Sequence, residues 1–187
     1  MSRNMHPVSV AIALFCFCLL AATGALLPNL AHAQNATASA PAPTQLPSIA
    51  GSTLGKKPFN LQSLKGKVVM VMFWSTDCAV CRDKMPELRR NAAGWADKPF
   101  ELVLVSVDRS MRDVEGYNAI INKSVPVKQR FTQLWTGDST YKDNLATAQL
   151  SRAQLPTTIV IDKSGKLVER YSGRIPAEVW DTISDLL

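Results

Sequence analysis

The hydrophobic pattern is organised around positions 68–74, Val-Val-Met-Val-Met-Phe-Trp, an unbroken apolar run without Gly or Pro. A short run this rich in β-formers predicts a strand buried on both faces. Ser75, Thr76 and Asp77 follow and supply turn and helix-capping side chains. A helix is then expected from about Cys78 to Asn91, with Val80, Met85 and Leu88 on its buried side and Arg82, Lys84, Arg89 and Arg90 outside. Pro86 lies within it and predicts a kink, and Gly94 ends the region.

The rest of the pattern alternates between the two element types. Residues 59–61 predict a short edge strand, and 63–67 a turn into the central run. Residues 101–107, Glu-Leu-Val-Leu-Val-Ser-Val, predict a second buried strand. A helix beginning at 108–110 and reaching about Lys123 is broken by Ser124-Val125-Pro126. Residues 127–135 are ambiguous, with a third strand at 131–135. The turn at 136–139 leads to a helix capped by Asp138 or Ser139 and running to about Leu150. Residues 157–161 predict a fourth strand, 162–165 a hairpin turn and 166–171 an antiparallel return. Pro176 opens a last helix through Leu187. Strands alternating with helices, then a hairpin and a helix, imply an α/β fold with a mixed central sheet flanked by helices on both faces.

The N-terminal quarter changes the picture of where this domain resides. Arg3, the apolar stretch 8–22 and Ala31-His32-Ala33 have the order of a secretory signal and its cleavage site, so residues 1–33 are expected to be removed, leaving Gln34 first. The alternative is an uncleaved anchor over residues 8–27, since about 20 apolar residues span a bilayer. Residues 34–47, rich in Ala, Pro, Thr and Ser, read as a linker, and 48–187 as the folded domain. The location expected is periplasmic or otherwise exported. The net charge of +6 is spread along the chain. No basic stripe with interleaved aromatics occurs, so no nucleic-acid partner is expected.

Removing the leader also decides the chemistry. Of four cysteines, Cys16 and Cys18 leave with it, and so do both histidines, His6 and His32. Cys78 and Cys81 remain, spaced Cys-Ala-Val-Cys where the helix begins. Positions i and i+3 share a helix face, within reach of a disulfide. The helix start favours a thiolate through its free N–H groups and dipole. The closed loop is too short to restrict the unfolded chain much, so redox chemistry explains the pair better than stabilisation. Cys78, at the helix tip, is the candidate nucleophile, and Cys81, a turn deeper, the resolving thiol. Zinc would need two more ligands, which only carboxylates could supply. No metal is expected, and no cofactor beyond the Cys78–Cys81 redox-active disulfide.

Phe73-Trp74 before the cysteines, Cys78-x-x-Cys81, Met85-Pro86 in the helix and Leu155-Pro156-Thr157-Thr158 downstream resemble the thioredoxin superfamily. The resemblance covers roughly residues 48–187. It is nearest to the exported TlpA-type and cytochrome c maturation thiol–disulfide oxidoreductases, whose Phe-x-Leu-x-x-Leu-Lys-Gly-Lys pattern precedes the central strand here too. The resemblance implies a thioredoxin-like fold, a cis bond before Pro156, and a site bordered by Trp74, Leu155, Pro156 and Thr157, where Leu155 pairs with a substrate strand. It implies an exported monomer that reduces protein disulfides, recharged by a membrane thiol electron carrier, with cytochrome c maturation as one task. A disulfide-forming oxidase and a copper-binding chaperone of the same fold remain alternatives. A peroxiredoxin pattern would need Pro at Val71 and Thr at Ser75.

Two positions depart from that pattern. Met72 stands where thioredoxins carry a buried Asp, and Lys84 where many TlpA-type reductases have Glu. Both acids assist proton transfer from the buried thiol. Asp83, Glu87 and Glu101 are the candidate substitutes, with water as another route.

Overall fold

The computed structural model describes residues 46–145 and 150–187. The expected leader at 1–33, its alternative as an anchor, and linker residues 34–45 lie outside them. Among the described residues, no helix is long and apolar enough to cross a membrane.

The described chain opens with a hairpin, β1 (Ile49–Ser52) against β2 (Pro58–Asn60), paired Ala50 to Asn60 and Ser52 to Pro58. Asn60 then caps a 3-10 turn, Leu61–Leu64, its side chain accepting the Gln62 N–H at 2.9 Å. That turn delivers the chain to β3 (Val68–Trp74), all of whose residues are buried. β3 leads through a polar turn into α1 (Ala79–Gly94), and β4 (Phe100–Ser106) returns parallel to β3. Pro86 does not interrupt α1, although its missing N–H leaves the Arg82 carbonyl without a helical donor. α2 (Met111–Ile121) follows, capped by the Ser110 hydroxyl, and β5 (Thr132–Trp135) lies parallel to β4.

β7 (Thr157–Ile161) runs antiparallel to β3 on its other side, and β8 (Leu167–Ser172) pairs antiparallel with β7. The five-stranded sheet has the order β5-β4-β3-β7-β8, and α3 (Glu178–Leu186) completes the domain. β3 is the central strand and its residues are buried on both faces of the sheet, which is why its sequence shows no alternation. β8, at an edge, alternates half-buried and exposed residues. The result is a mixed sheet with three helices, a thioredoxin-like α/β fold.

One expected element is absent among the described residues, and two strands, β1 and β6 (Lys142–Asp143), were unforeseen. Residues 139–145 are not helical. The Asp138 carboxylate does cap, accepting the Thr140 N–H at 2.9 Å and its hydroxyl at 2.6 Å, but the turn it closes is not extended into a helix. The chain straightens into β6 (Lys142–Asp143), which pairs antiparallel with β1 to make a second sheet, β2-β1-β6. Backbone hydrogen bonds to a distant strand outweigh the local cap. Gly51 permits this closeness: its φ is +154°, and a Cβ there would stand 3.1 Å from the Tyr141 Cα. Residues 146–149 of the expected helix lie outside the described part.

Candidate redox site

Cys78 is the N-cap of α1, and Cys81 lies in its first turn. The two are joined by a disulfide with Cα atoms 5.2 Å apart. Their surroundings differ sharply. Cys78 is part-exposed, whereas Cys81 is fully buried. The Cys78 sulfur accepts the Cys81 N–H at 3.1 Å. That hydrogen bond and the positive end of a 16-residue helix both favour negative charge on Cys78 once the pair is reduced.

The turn before Cys78 is held from several directions. The Cys78 N–H donates to the Ser75 carbonyl at 3.2 Å. Ser75 donates its hydroxyl to Asp77 at 2.6 Å. The Thr76 N–H and hydroxyl both donate to the Asp108 carboxylate, at 2.9 and 2.7 Å, and the Thr76 carbonyl accepts from the Arg82 guanidinium. Asp77 also forms an ion pair with Arg152, which lies just ahead of the Pro156 loop. Sequence reading treated Asp108 only as part of a helix start. Its contact with Thr76 joins residues 32 apart in the chain, and no local pattern announces such a contact.

The Leu155–Pro156 peptide bond is cis. Pro156 lines a cleft with Val80, Asp83, Lys84, Arg174 and Ile175, so the loop sits beside the Cys-Ala-Val-Cys turn. Gly173 holds the loop from the far side, donating its N–H to the Pro156 carbonyl at 2.8 Å. Trp74, for which core packing is an equal reading of the sequence, and Thr157 both have buried side chains. Trp74 is fully buried, its ring edge-on to Tyr117 of α2 at 5.1 Å. Thr157 is fully buried within β7, its hydroxyl donating to the Gln154 carbonyl at 2.9 Å. Leu155 is 6% exposed, and its N–H is already given to the Arg152 carbonyl at 3.2 Å. Only its carbonyl remains to pair with an incoming strand.

The three candidate acids separate clearly. Glu101 pairs with Lys67 at 3.1 Å and accepts from Thr132 at 3.0 Å. It stands opposite Val69 in the β3–β4 register, about 16 Å of strand from Trp74 at ~3.3 Å per residue. That removes it from the site. Asp83 lines the cleft beside Pro156, as does Glu87. Glu87 accepts from Lys84 at 2.9 Å and from the Trp180 indole at 2.6 Å. Partial burial opposes its charge, but these hydrogen bonds and the Lys84 and Arg90 charges outweigh it and hold the carboxyl below its usual range. Met72 is fully buried, so no acid occupies that position under the site. Among the described residues, no cluster of His, Cys, Asp and Glu could hold a metal ion.

Comparison with known proteins agrees with this geometry. The AhpC/TSA family model matches residues 42–170. The thiol-disulfide oxidoreductase ResA of Bacillus cereus is 27% identical over 129 residues, covering 69% of this chain and 68% of its own. The thioredoxin-like protein YneN of Bacillus subtilis is 24% identical, covering 76% and 78%. A thiol:disulfide interchange protein of the thioredoxin family from Chlorobium tepidum superposes with a TM-score of 0.58 at 27% identity, covering 78% of this chain and 97% of its own.

Proposed function

The chain belongs to the AhpC/TSA family and is a thiol–disulfide oxidoreductase, and from that premise we propose that it reduces disulfides in exported proteins through a Cys78–Cys81 cycle. The carrying observation is the difference in exposure between the two sulfurs, since only Cys78 meets solvent at the helix tip. In the reduced enzyme, the Cys78 thiolate attacks one sulfur of a substrate disulfide. A Cys78–substrate bond forms, and the other substrate sulfur leaves as a thiolate and takes up a proton. Cys81 then loses its proton and attacks the Cys78 sulfur. The Cys78–Cys81 disulfide closes, the second substrate thiol leaves, and two electrons have passed to the substrate. Asp83 and Glu87 share the cleft beside Pro156; Glu87 is engaged by Lys84 and Trp180, so the exposed Asp83 is the acid that takes the Cys81 proton through water. The substrate chain lies along that cleft and pairs with the free Leu155 carbonyl.

The same reading makes the protein an exported monomer starting at Gln34, and its mass from the native envelope checks that start. A membrane thiol carrier re-reduces it, because an oxidising compartment offers no cytosolic-type thiol pool. Disulfides in apocytochromes awaiting haem are one substrate class, since attachment requires reduced CxxCH thiols.

The test is a pair of substitutions. Cys78→Ser is expected to abolish insulin disulfide reduction. Cys81→Ser is expected to accumulate mixed disulfides with substrates, because the first intermediate cannot resolve. Iodoacetamide should alkylate Cys78 first in the reduced protein near neutral pH, and preferential alkylation of Cys81 would overturn the assignment.

A further inference from the structure

Asp108 carries a buried charge that the thiol cycle does not use. It follows β4, is 5% exposed, and accepts hydrogen bonds with both carboxylate oxygens. One oxygen takes the Thr76 N–H at 2.9 Å and the Thr76 hydroxyl at 2.7 Å. The other takes the Ser106 hydroxyl at 2.7 Å and lies 3.1 Å from the Thr76 nitrogen. Its backbone is also fixed, with the N–H donated to Ser106 at 3.1 Å and the carbonyl accepting the Trp135 indole at 2.7 Å. The ion pairs among the described residues do not include it. Neutral acceptors suffice for an amide and two hydroxyls, so a carboxylate here brings a charge that the hydrogen bonding alone does not require.

Thr76 is two residues from Cys78, and both of its backbone polar groups are engaged. Asp108 holds the N–H, and Arg82 of α1 holds the carbonyl. We propose that Asp108 is a positioning residue for Cys78: it fixes the 75–77 turn, and its charge disfavours the Cys78 thiolate, making the reduced pair a stronger electron donor. The inference rests on Cys78 being the attacking thiol. The sign follows from electrostatics, because a nearby like charge opposes ionisation. A thiolate that is less stabilised makes the dithiol form less stable and its oxidation more favourable. The other charges around Cys78 are Asp77 with its partner Arg152, Arg82, Asp83 on α1, and, across the cleft beside Pro156, Lys84 with its partner Glu87 and Arg174. Asp77 and Lys84 are each paired, with Arg152 and Glu87, while Arg82 and Arg174 favour the thiolate, so Asp108 is the buried counterweight to the helix end and these cations.

Asp108→Asn keeps the shape and one carbonyl acceptor for Thr76 while removing the charge. The readout is the alkylation rate of Cys78 against pH in the reduced full chain, resolved by peptide mass, with the thiol–disulfide equilibrium against glutathione. Asp108→Asn is expected to lower the Cys78 midpoint by about half a unit or more. It should also shift the glutathione equilibrium about threefold or more toward the dithiol. Ser106→Ala keeps the charge and removes a donor that disperses it, so its midpoint should move the opposite way, upward. A folded Asp108→Asn protein with an unmoved midpoint overturns the proposal, and so does a downward shift in Ser106→Ala, which remains readable if Asp108→Asn fails to fold. Alkylation of Cys81 before Cys78 in the unsubstituted chain would instead refute the thiol assignment beneath it.

Discussion

Cys78 and Cys81 are separated by less than one helical turn, which divides a sulfur that solvent reaches from one that it does not. The motif made both residues visible in the sequence, since i, i+3 spacing at a helix start follows from local geometry. Pro156 was visible through resemblance alone. Asp108 was not visible, because its significance lies in a contact with Thr76 on a neighbouring segment. Trp74 reads equally as core or as site border in the sequence, and its full burial places it in the core, because its position beside the cysteines does not say which way its side chain points. Lys84, which replaces an expected acid, is paired with Glu87 at 2.9 Å. This yields a pH prediction. The folded-state pKa of Glu87 lies below its usual value of 4.5, so the unfolded chain takes up the proton first as pH falls. The resulting stabilisation is present above that value and is lost as pH drops through the folded value. Glu87→Gln should therefore lower stability most near neutral pH, with the gap closing in acid. Urea unfolding at a series of pH values measures it, and a gap independent of pH would contradict the assignment.

At the scale of elements, the strand–turn–helix unit of β3 and α1 was legible because each part obeys a local rule. A continuous apolar run gives a doubly covered strand, and a polar triplet gives the turn. α1 is tied down by Cys81, Met85 and Leu88, all essentially buried and spaced along one face. Leu88→Ala should lower folding stability by about 2–5 kcal/mol, the range for opening a cavity under a buried Leu. It should leave the order of cysteine alkylation unchanged, because that order comes from the helix start rather than its middle. Denaturant melts and alkylation of the same variant separate the two effects, and inverted labelling would show that the start depends on packing further along. β1 and β6 were not legible. Their pairing joins Ile49 to Asp143 across most of the domain, and each is short without its partner. The helix expected after Asp138 failed for the same reason, because a valid local cap was overridden by a distant strand.

At the scale of the whole molecule, the fold brings three remote segments to one end of the sheet. They are the turn after β3, the end of β4 with Asp108, and the cis-proline loop ahead of β7. Parallel β3 and β4 deliver their C-terminal ends side by side, and antiparallel β7 starts at that same end. A disulfide at the helix tip then meets a cleft that also carries Pro156, Lys84 and Arg174. The charge of +6 has no concentrated stripe along the chain, which leaves the redox pair as the chemistry to explain. The central claim is that this pair works in the reducing direction. Its reduction potential, obtained by equilibrating the purified protein with glutathione redox buffers and trapping the thiols, tests that most directly. A disulfide reductase should show a value near the reductant end of the fold's range, around −270 mV as for thioredoxin, and a value near the oxidant end, about −120 mV, would contradict the reducing direction.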